Sequence, residues 1–259
     1  DMSLLDESAH YAKYALAIYT WVLYLYENPV TGPTRLIARG CRCCCPGLRK
    51  LDALVAPSPA SSHLSLGLIN FVDENGRIEG DTVCEAHKNA ILLTAGVEEA
   101  DLLYVQLRSS FTDNPYCILV DHEWKSVVVS IRGTFSLEDC VTDVLIKPES
   151  LEQLGEDFGF EASGQYCHGG IVACALNVHR DLGRHGLLDK LLLGADARFP
   201  DYRLRLVGHS LGASTCALLS YMLRPKFPTL RCAAYSPPGC TFTWKMATEC
   251  QEWCTACVL

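Results

Sequence analysis

From about residue 81 onward, apolar residues fall into two alternating patterns. Runs rich in β-branched and apolar residues occur at 102–107, 116–120, Ser126–Ile131, 203–207 and 231–236, and they predict strands. The valine run at 126–131 suits a strand buried on both faces. Residues 83–93, 170–181 and 213–223 instead place their apolar positions at helical spacing. The polar link 121–125 predicts a hairpin between the second and third strands, and Pro237-Pro238-Gly239 closes the last one. Such an alternation predicts a single α/β core. Ahead of it, residues 11–26 are apolar and aromatic with one lysine, Lys13. This run falls short of the roughly twenty residues a bilayer span needs. It predicts one core-packing helix, with a face lying in a membrane interface as the alternative.

The chain divides by composition into three zones. Residues 1–80 hold the aromatic helix, the cluster Cys41-Arg-Cys-Cys-Cys-Pro46 and a Pro/Ser-rich loop at 56–62. Residues 81–239 form the α/β core. Residues 240–259 read as a divergent Cys-rich tail, crowding Cys240, Cys250, Cys254 and Cys257 with Trp244 and Trp253.

Length and charge narrow the classes. A chain of 259 residues, 49% hydrophobic, can bury one substantial core. A net charge of −8 with no run of interleaved basic and aromatic residues argues against a nucleic-acid partner. The start Asp1-Met2-Ser3 has no basic stretch of a secretory signal. Fifteen cysteines are many, but Cys117, Cys174, Cys216 and Cys232 stand singly in apolar runs, as free buried thiols of a reducing compartment do. Cys41, Cys43, Cys44 and Cys45 leave three readings open: a thiol-rich loop, S-acylation beside the basic patch at 35–49, or metal binding. Cys250-x3-Cys254-x2-Cys257 has no nearby histidine and is a weak metal pattern.

The chemistry-bearing motif is Gly208-x-Ser210-x-Gly212, set between a strand-like and a helix-like run. A nucleophile elbow needs this context: the serine occupies a strained strand-to-helix turn, and the flanking glycines remove Cβ atoms that would collide. Ser210 is the candidate nucleophile. The Leu211 amide, at the start of the following helix, is the candidate oxyanion donor, and Ile131-Arg-Gly-Thr134 offers a second donor after the central strand. From Leu211 to Leu259 there is no Asp and no His, so the usual order of serine, acid and histidine is not completed after the elbow. His209 is a poor substitute, since neighbouring elbow side chains diverge. His168 reads as a loop-tying residue before a surrogate base, His179 and His185 as solvated or capping, and His10, His63, His87 and His122 carry no motif.

Several segments together resemble the class 3 (fungal-type) lipase family and, within it, the sn-1-specific diacylglycerol lipases, closer to the alpha than the beta type. These are Val120-Asp-His, Val127-Val-Val-Ser-Ile-Arg-Gly-Thr134, Asp139-Cys-Val-Thr-Asp143, His168-Gly-Gly170, Val207-Gly-His-Ser-Leu-Gly-Ala213, Leu223-Arg-Pro225 and Tyr235-Ser-Pro-Pro-Gly239. The resemblance implies an α/β-hydrolase fold of the class 3 lipase type, C-terminally incomplete. It makes Ser210 the nucleophile, with Thr134 and Leu211 forming the oxyanion hole, and gives Asp143 and His168 structural roles. It implies a serine esterase releasing a fatty acid from the sn-1 position of diacylglycerol, membrane-associated with the catalytic domain on the cytoplasmic side. No cofactor is needed for the ester chemistry, calcium is an accessory ion by resemblance only, and the oligomeric state is left open. Two departures stand out. The family's membrane-spanning helices are absent, and its acid, in a Leu-Gly-Lys-Asp type segment after a further strand, and its later histidine have no counterpart. A lost strand and covering helix would leave a sheet edge exposed, and a catalytically inactive homologue that binds lipid or a partner is the alternative reading.

Overall fold

The computed structural model describes residues 2–40, 78, 81, 85–110, 113–133, 147–239 and 241–258. The cysteine cluster at 41–45, the loop at 56–62, His63, Thr134, Asp139, Asp143 and Cys240 lie outside these residues. Six strands build the main sheet: β1 (Leu102–Gln106), β2 (Tyr116–Asp121), β3 (Ser126–Ile131), β6 (Arg203–His209), β7 (Arg231–Tyr235) and β8 (Cys254–Cys257). Their order is β1-β2-β3-β6-β7-β8, antiparallel from β1 to β3 and parallel from β3 to β8. A two-stranded ladder, β4 (Pro148–Ser150) with β5 (Tyr166–His168), stands apart from it.

All six residues of β3 are buried, as the valine run predicts. Val127, Val129 and Ile131 pack on one face with helices α6 (Gly169–His185), α7 (Leu187–Leu192), α8 (Leu211–Leu223) and α9 (Trp244–Glu249). Val128 packs on the other with α1 (Met2–Ala17) and α4 (Ala86–Ala95). The remaining helices are α2 (Thr20–Glu27), α3 (Gly32–Gly40) and α5 (Glu152–Phe158). Every residue of α8 except Leu211 is buried, which is why its sequence is apolar all round rather than on one stripe.

Two serines interrupt the valine run, and α1 accounts for both. Tyr11 Oη lies 2.9 Å from Ser126 Oγ, and Ser130 Oγ donates to the Tyr14 carbonyl at 2.7 Å. The hydroxyls are thus satisfied inside a buried interface, as buried polar groups must be. The run 11–26, expected as one helix, is two. It breaks at Ile18 and Tyr19, and Thr20 takes φ +62°, a left-handed conformation in which a β-branched residue is strained. No described helix is long and apolar enough to cross a membrane.

The tail joins the core. Met246, Cys250 and Trp253 are buried in the larger apolar cluster, Trp253 Nε1 donates to Ser220 Oγ at 2.8 Å, and Tyr221 Oη donates to the Met246 carbonyl at 2.7 Å. Contrary to the expected loss of a strand beyond β7, residues 254–257 supply one, paired in parallel with β7. All three zones therefore contribute to a single packed unit: α1 lies across β3, β6 and β7, and β8 extends the sheet. Cys117, Cys174, Cys216 and Cys232 are buried, as their apolar settings suggest.

Replacing Trp253 by Ala is expected to cost about 3–5 kcal/mol of unfolding free energy, whereas Trp244→Ala, at a side chain 85% exposed, should change it by about 0.5 kcal/mol or less. Urea unfolding of the two variants checks this; equal effects would mean the tail does not belong to the core.

Candidate active site

The elbow is made by backbone segments that approach more closely than side chains permit. Ser210 sits at φ 56°, ψ −128°, a region that costs a non-glycine residue about 1–3 kcal/mol. A Cβ on Gly208 would strike the Gly212 carbonyl, and one on Gly212 would strike the Ile131 carbonyl at the end of β3. A Cβ on Gly133 would lie 2.6 Å from the His209 carbonyl oxygen, 2.8 Å from Tyr19 Oη and 3.1 Å from Ser210 Cβ. The end of β3, the turn from β6 into α8, and Tyr19 therefore converge on one point.

Ser210 is anchored through its amide, which donates to the Tyr235 carbonyl of β7 at 2.9 Å. Leu211 opens α8, so its own amide lies in the first turn, ahead of the Ala213 and Ser214 amides that donate to the Ser210 carbonyl. The geometry thus pairs a strained serine with a helix N-terminus, an arrangement that favours negative charge at the serine's edge of the sheet. Of the two expected oxyanion donors, Leu211 is beside Ser210. Thr134 lies outside the described residues, although the chain reaches the elbow as far as Gly133.

His209 turns away to Tyr19. Its Nδ1 is 2.9 Å from Tyr19 Oη, with the rings edge to face. Burial pushes its imidazole below the ordinary value of 6.5. Burial pushes the Tyr19 phenol up, while a backbone hydrogen bond with Gly133 and the Arg132 charge pull it down. Tyr19 is the residue the sequence reading missed. It stands in an aromatic run that looks like core, and only the break before Thr20 carries it to the elbow.

The other described histidines are engaged elsewhere. His168 Nδ1 accepts from the Gly170 amide at 3.2 Å, capping α6, and its own amide donates to the Thr241 carbonyl at 3.4 Å, as a loop-tying residue would. His10 pairs with Asp121 and stacks on Trp124. His87 meets Thr20, and His122 meets Tyr202 and Asp101. His185, in the last turn of α6, lies 3.6 Å from Asp181. His179 does not stand in solvent or cap: it packs edge-on against Phe158, and burial lowers its pKa. Among the described residues, no group of three or more His, Cys, Asp or Glu side chains could hold a metal ion, which includes the Cys250–Cys254–Cys257 pattern.

Ser210→Gly should raise the unfolding free energy by about 1 kcal/mol by relieving strain, and Gly212→Ala should lower it by about 1–3 kcal/mol or prevent folding. Chemical denaturation distinguishes this from an unstrained turn, which would show neither change. Because His87, His179 and His209 are all held below 6.5 in the fold, the unfolded chain takes up protons first as pH falls. Their contribution to stability is complete above pH 6.5 and is lost as pH falls below it. His209→Gln is expected to reduce that slope in denaturation midpoints measured between about pH 7 and pH 5; an unchanged slope would refute it.

Comparison with known proteins agrees with the geometry. The family model Lipase (class 3) matches residues 128–258, so the tail set apart by composition lies inside the matched region. Diacylglycerol lipase-beta of Mus musculus is 36% identical over 229 residues, covering 88% of this chain and 29% of that protein. Diacylglycerol lipase-alpha of Homo sapiens is 33% identical over 265 residues, covering 100% of this chain and 23% of that protein. Identity therefore does not set the alpha type above the beta type, and the chain spans less than a third of either relative. A crystal structure of a mutant form of MDLA from Penicillium cyclopium superposes with a TM-score of 0.56 at 20% identity, covering 100% of this chain and 71% of that one; the shared fold is of the α/β-hydrolase type.

Proposed function

The chain belongs to the class 3 lipase family, and we propose that it carries the nucleophile and oxyanion side of a serine esterase acting on the sn-1 acyl ester of membrane diacylglycerol. The observation that carries this is the strained Ser210, held between Gly208 and Gly212 at the head of α8. Its relatives' names, diacylglycerol lipase-alpha and -beta, support the substrate class.

In the proposed reaction, Ser210 Oγ attacks the ester carbonyl, the carbon–alcohol bond breaks, and monoacylglycerol leaves with the fatty acid held as an acyl-serine that water then hydrolyses. The Leu211 amide, with the Thr134 amide and hydroxyl, would stabilise the oxyanion; removing one such donor in other serine hydrolases costs roughly 10²–10³-fold. A base must take the serine proton and return it to the leaving alcohol. His209 faces Tyr19 and His168 caps α6, and no Asp or His follows Ser210 in this sequence. Positioning and oxyanion binding alone supply roughly 10³–10⁴-fold over water, and that is the rate expected of these residues by themselves. The ester chemistry calls for no cofactor. Calcium, implied by the family resemblance, finds no fitting cluster among the described residues, and no step is routed through it. The buried thiols of Cys117, Cys216 and Cys232, in no disulfide, support a reducing, cytoplasmic side, next to the membrane that holds the substrate.

A fluorophosphonate probe followed by peptide mass spectrometry should place the adduct on Ser210 and lose it in Ser210→Ala. Diacylglycerol labelled separately at each acyl position should release its fatty acid from sn-1. An adduct that persists in Ser210→Ala, or release from the other position, would overturn the assignment of residue or regiochemistry respectively.

A further inference from the structure

The helical hairpin that begins one residue after Tyr19 presents a concentration of exposed apolar side chains among the described residues. Half of the large apolar side chains exposed among the described residues fall within residues 21–37: Trp21, Val22, Tyr26, Val30 and Ile37. Single exposed apolar residues need no explanation, but a concentration of them does. Val22 and Tyr26 are one turn apart on α2 and form a ridge, and Val30 lies in the connecting turn; Tyr26 and Val30 are each 84% exposed.

The opposite side of the hairpin is fixed. Tyr24 and Leu36 pack on Ala90 of α4. Asn28 Nδ2 donates to the Tyr24 carbonyl at 3.1 Å. A Cβ on Gly32 would lie 3.1 Å from Leu25 Cδ2 and 3.2 Å from Asn28 Cβ, so the turn packs closely against α2. The exposed ridge is therefore a preformed surface rather than a frayed end.

Charge decides what covers it. In a chain of net charge −8, the described hairpin at 20–40 carries two basic residues, Arg35 and Arg39, against a single acid, Glu27. Arg35 and Arg39 are exposed one turn apart on α3. An anionic surface would repel most of this molecule and attract this part of it. Tryptophan and tyrosine beside arginine, on an apolar ridge, is the composition that lies at the headgroup level of a bilayer.

We propose that the outer face of α2 and α3 docks on an anionic phospholipid bilayer and brings the elbow to that surface, since Tyr19, the residue preceding α2, holds His209. The proposal rests on the lipase reading for why the elbow belongs at a membrane, but the contact itself requires no turnover.

The test is sedimentation of the purified chain with phosphatidylcholine vesicles and with mixed phosphatidylcholine–phosphatidylserine vesicles, alongside Trp21 fluorescence. The wild type should bind the mixed vesicles with a blue shift that Trp21→Phe removes. Tyr26→Asp/Val30→Asp should weaken binding by about tenfold or more, and Arg35→Glu/Arg39→Glu should abolish the preference for phosphatidylserine, about tenfold or more. These side chains are exposed, and circular dichroism confirms that each variant is folded. The proposal is overturned if the wild type binds neither vesicle, if the Tyr26/Val30 variant binds as well as wild type, if Trp244→Ser removes binding instead, or if the patch substitutions change only self-association of the chain. Vesicle binding without acylation of Ser210 would sink the lipase reading alone; acylation without vesicle binding would sink this one alone.

Discussion

Everything at the candidate site depends on how closely the first turn of α8 approaches the end of β3. The Ile131 carbonyl occupies the place where a Gly212 side chain would begin, and Gly208 faces the Gly212 carbonyl in the same way. That contact forces Ser210 to φ 56°, ψ −128°, since the chain must leave β6 and enter a helix within a single residue. A strained residue persists only where its surroundings over-determine it. Here they consist of β3 and β6, paired in parallel through Ile131 and Gly208, and of α8, buried along almost its whole length. Hydrophobic burial of α8 therefore holds the serine in a conformation it would not choose, and the exposed chemistry is a consequence of the packing.

The second face of the sheet reaches the same point by a different route. α1 lies on β3, β6 and β7, and its polar contacts, Tyr11 with Ser126 and the Tyr14 carbonyl with Ser130, set its height along β3. A helix continuing through residue 26 in that direction would not turn. The break at Tyr19 and the left-handed Thr20 redirect the chain, and Thr20 Oγ1 meets His87 Nδ1 at 3.0 Å. The left-handed turn at Thr20 is thus flanked by a hydrogen bond with α4 at Thr20 itself and by the contacts of Tyr19, the residue before it, with His209 and Gly133. The N-terminal segment covers apolar sheet, braces the elbow and orients the hairpin that follows.

The parts legible in the sequence are those governed by local pattern. The valine run at 126–131 became β3 at the expected bounds because a doubly buried strand has no polar face to confuse its limits. The elbow was legible because its glycines answer a steric requirement that leaves few alternatives. The break at Tyr19 was not legible: Ile18, Tyr19 and Thr20 have no Gly or Pro among them, and only tertiary contacts with β3 and His209 select the left-handed turn. The tail misled for another reason. Its cysteines and tryptophans look foreign beside the core, yet Cys250 and Trp253 serve there as ordinary buried groups, Trp253 with its indole N–H satisfied by Ser220. A strand of four residues, Cys254–Cys257, is also too short for alternation to announce it.

The tail's place in the sheet bears directly on the elbow. At the carboxyl edge of the parallel strands, the Ser210 amide donates to the Tyr235 carbonyl at 2.9 Å, and the Ser236 amide donates to the Cys257 carbonyl at 2.7 Å. Tyr235 stands in register with His209 on one side and Cys257 on the other. Ser236, like Ser210, has a positive φ, +46°, so β7 also ends in a strained turn, secured by its neighbour. The restraint passes across the sheet: β8 holds the turn after β7, and β7 holds the turn after β6 where the nucleophile sits. Trp253, buried under α8 immediately before β8, anchors the outer strand of that series to the helix that Ser210 begins. Residues that look peripheral in composition are thereby joined to the reactive serine through two backbone hydrogen bonds and one helix.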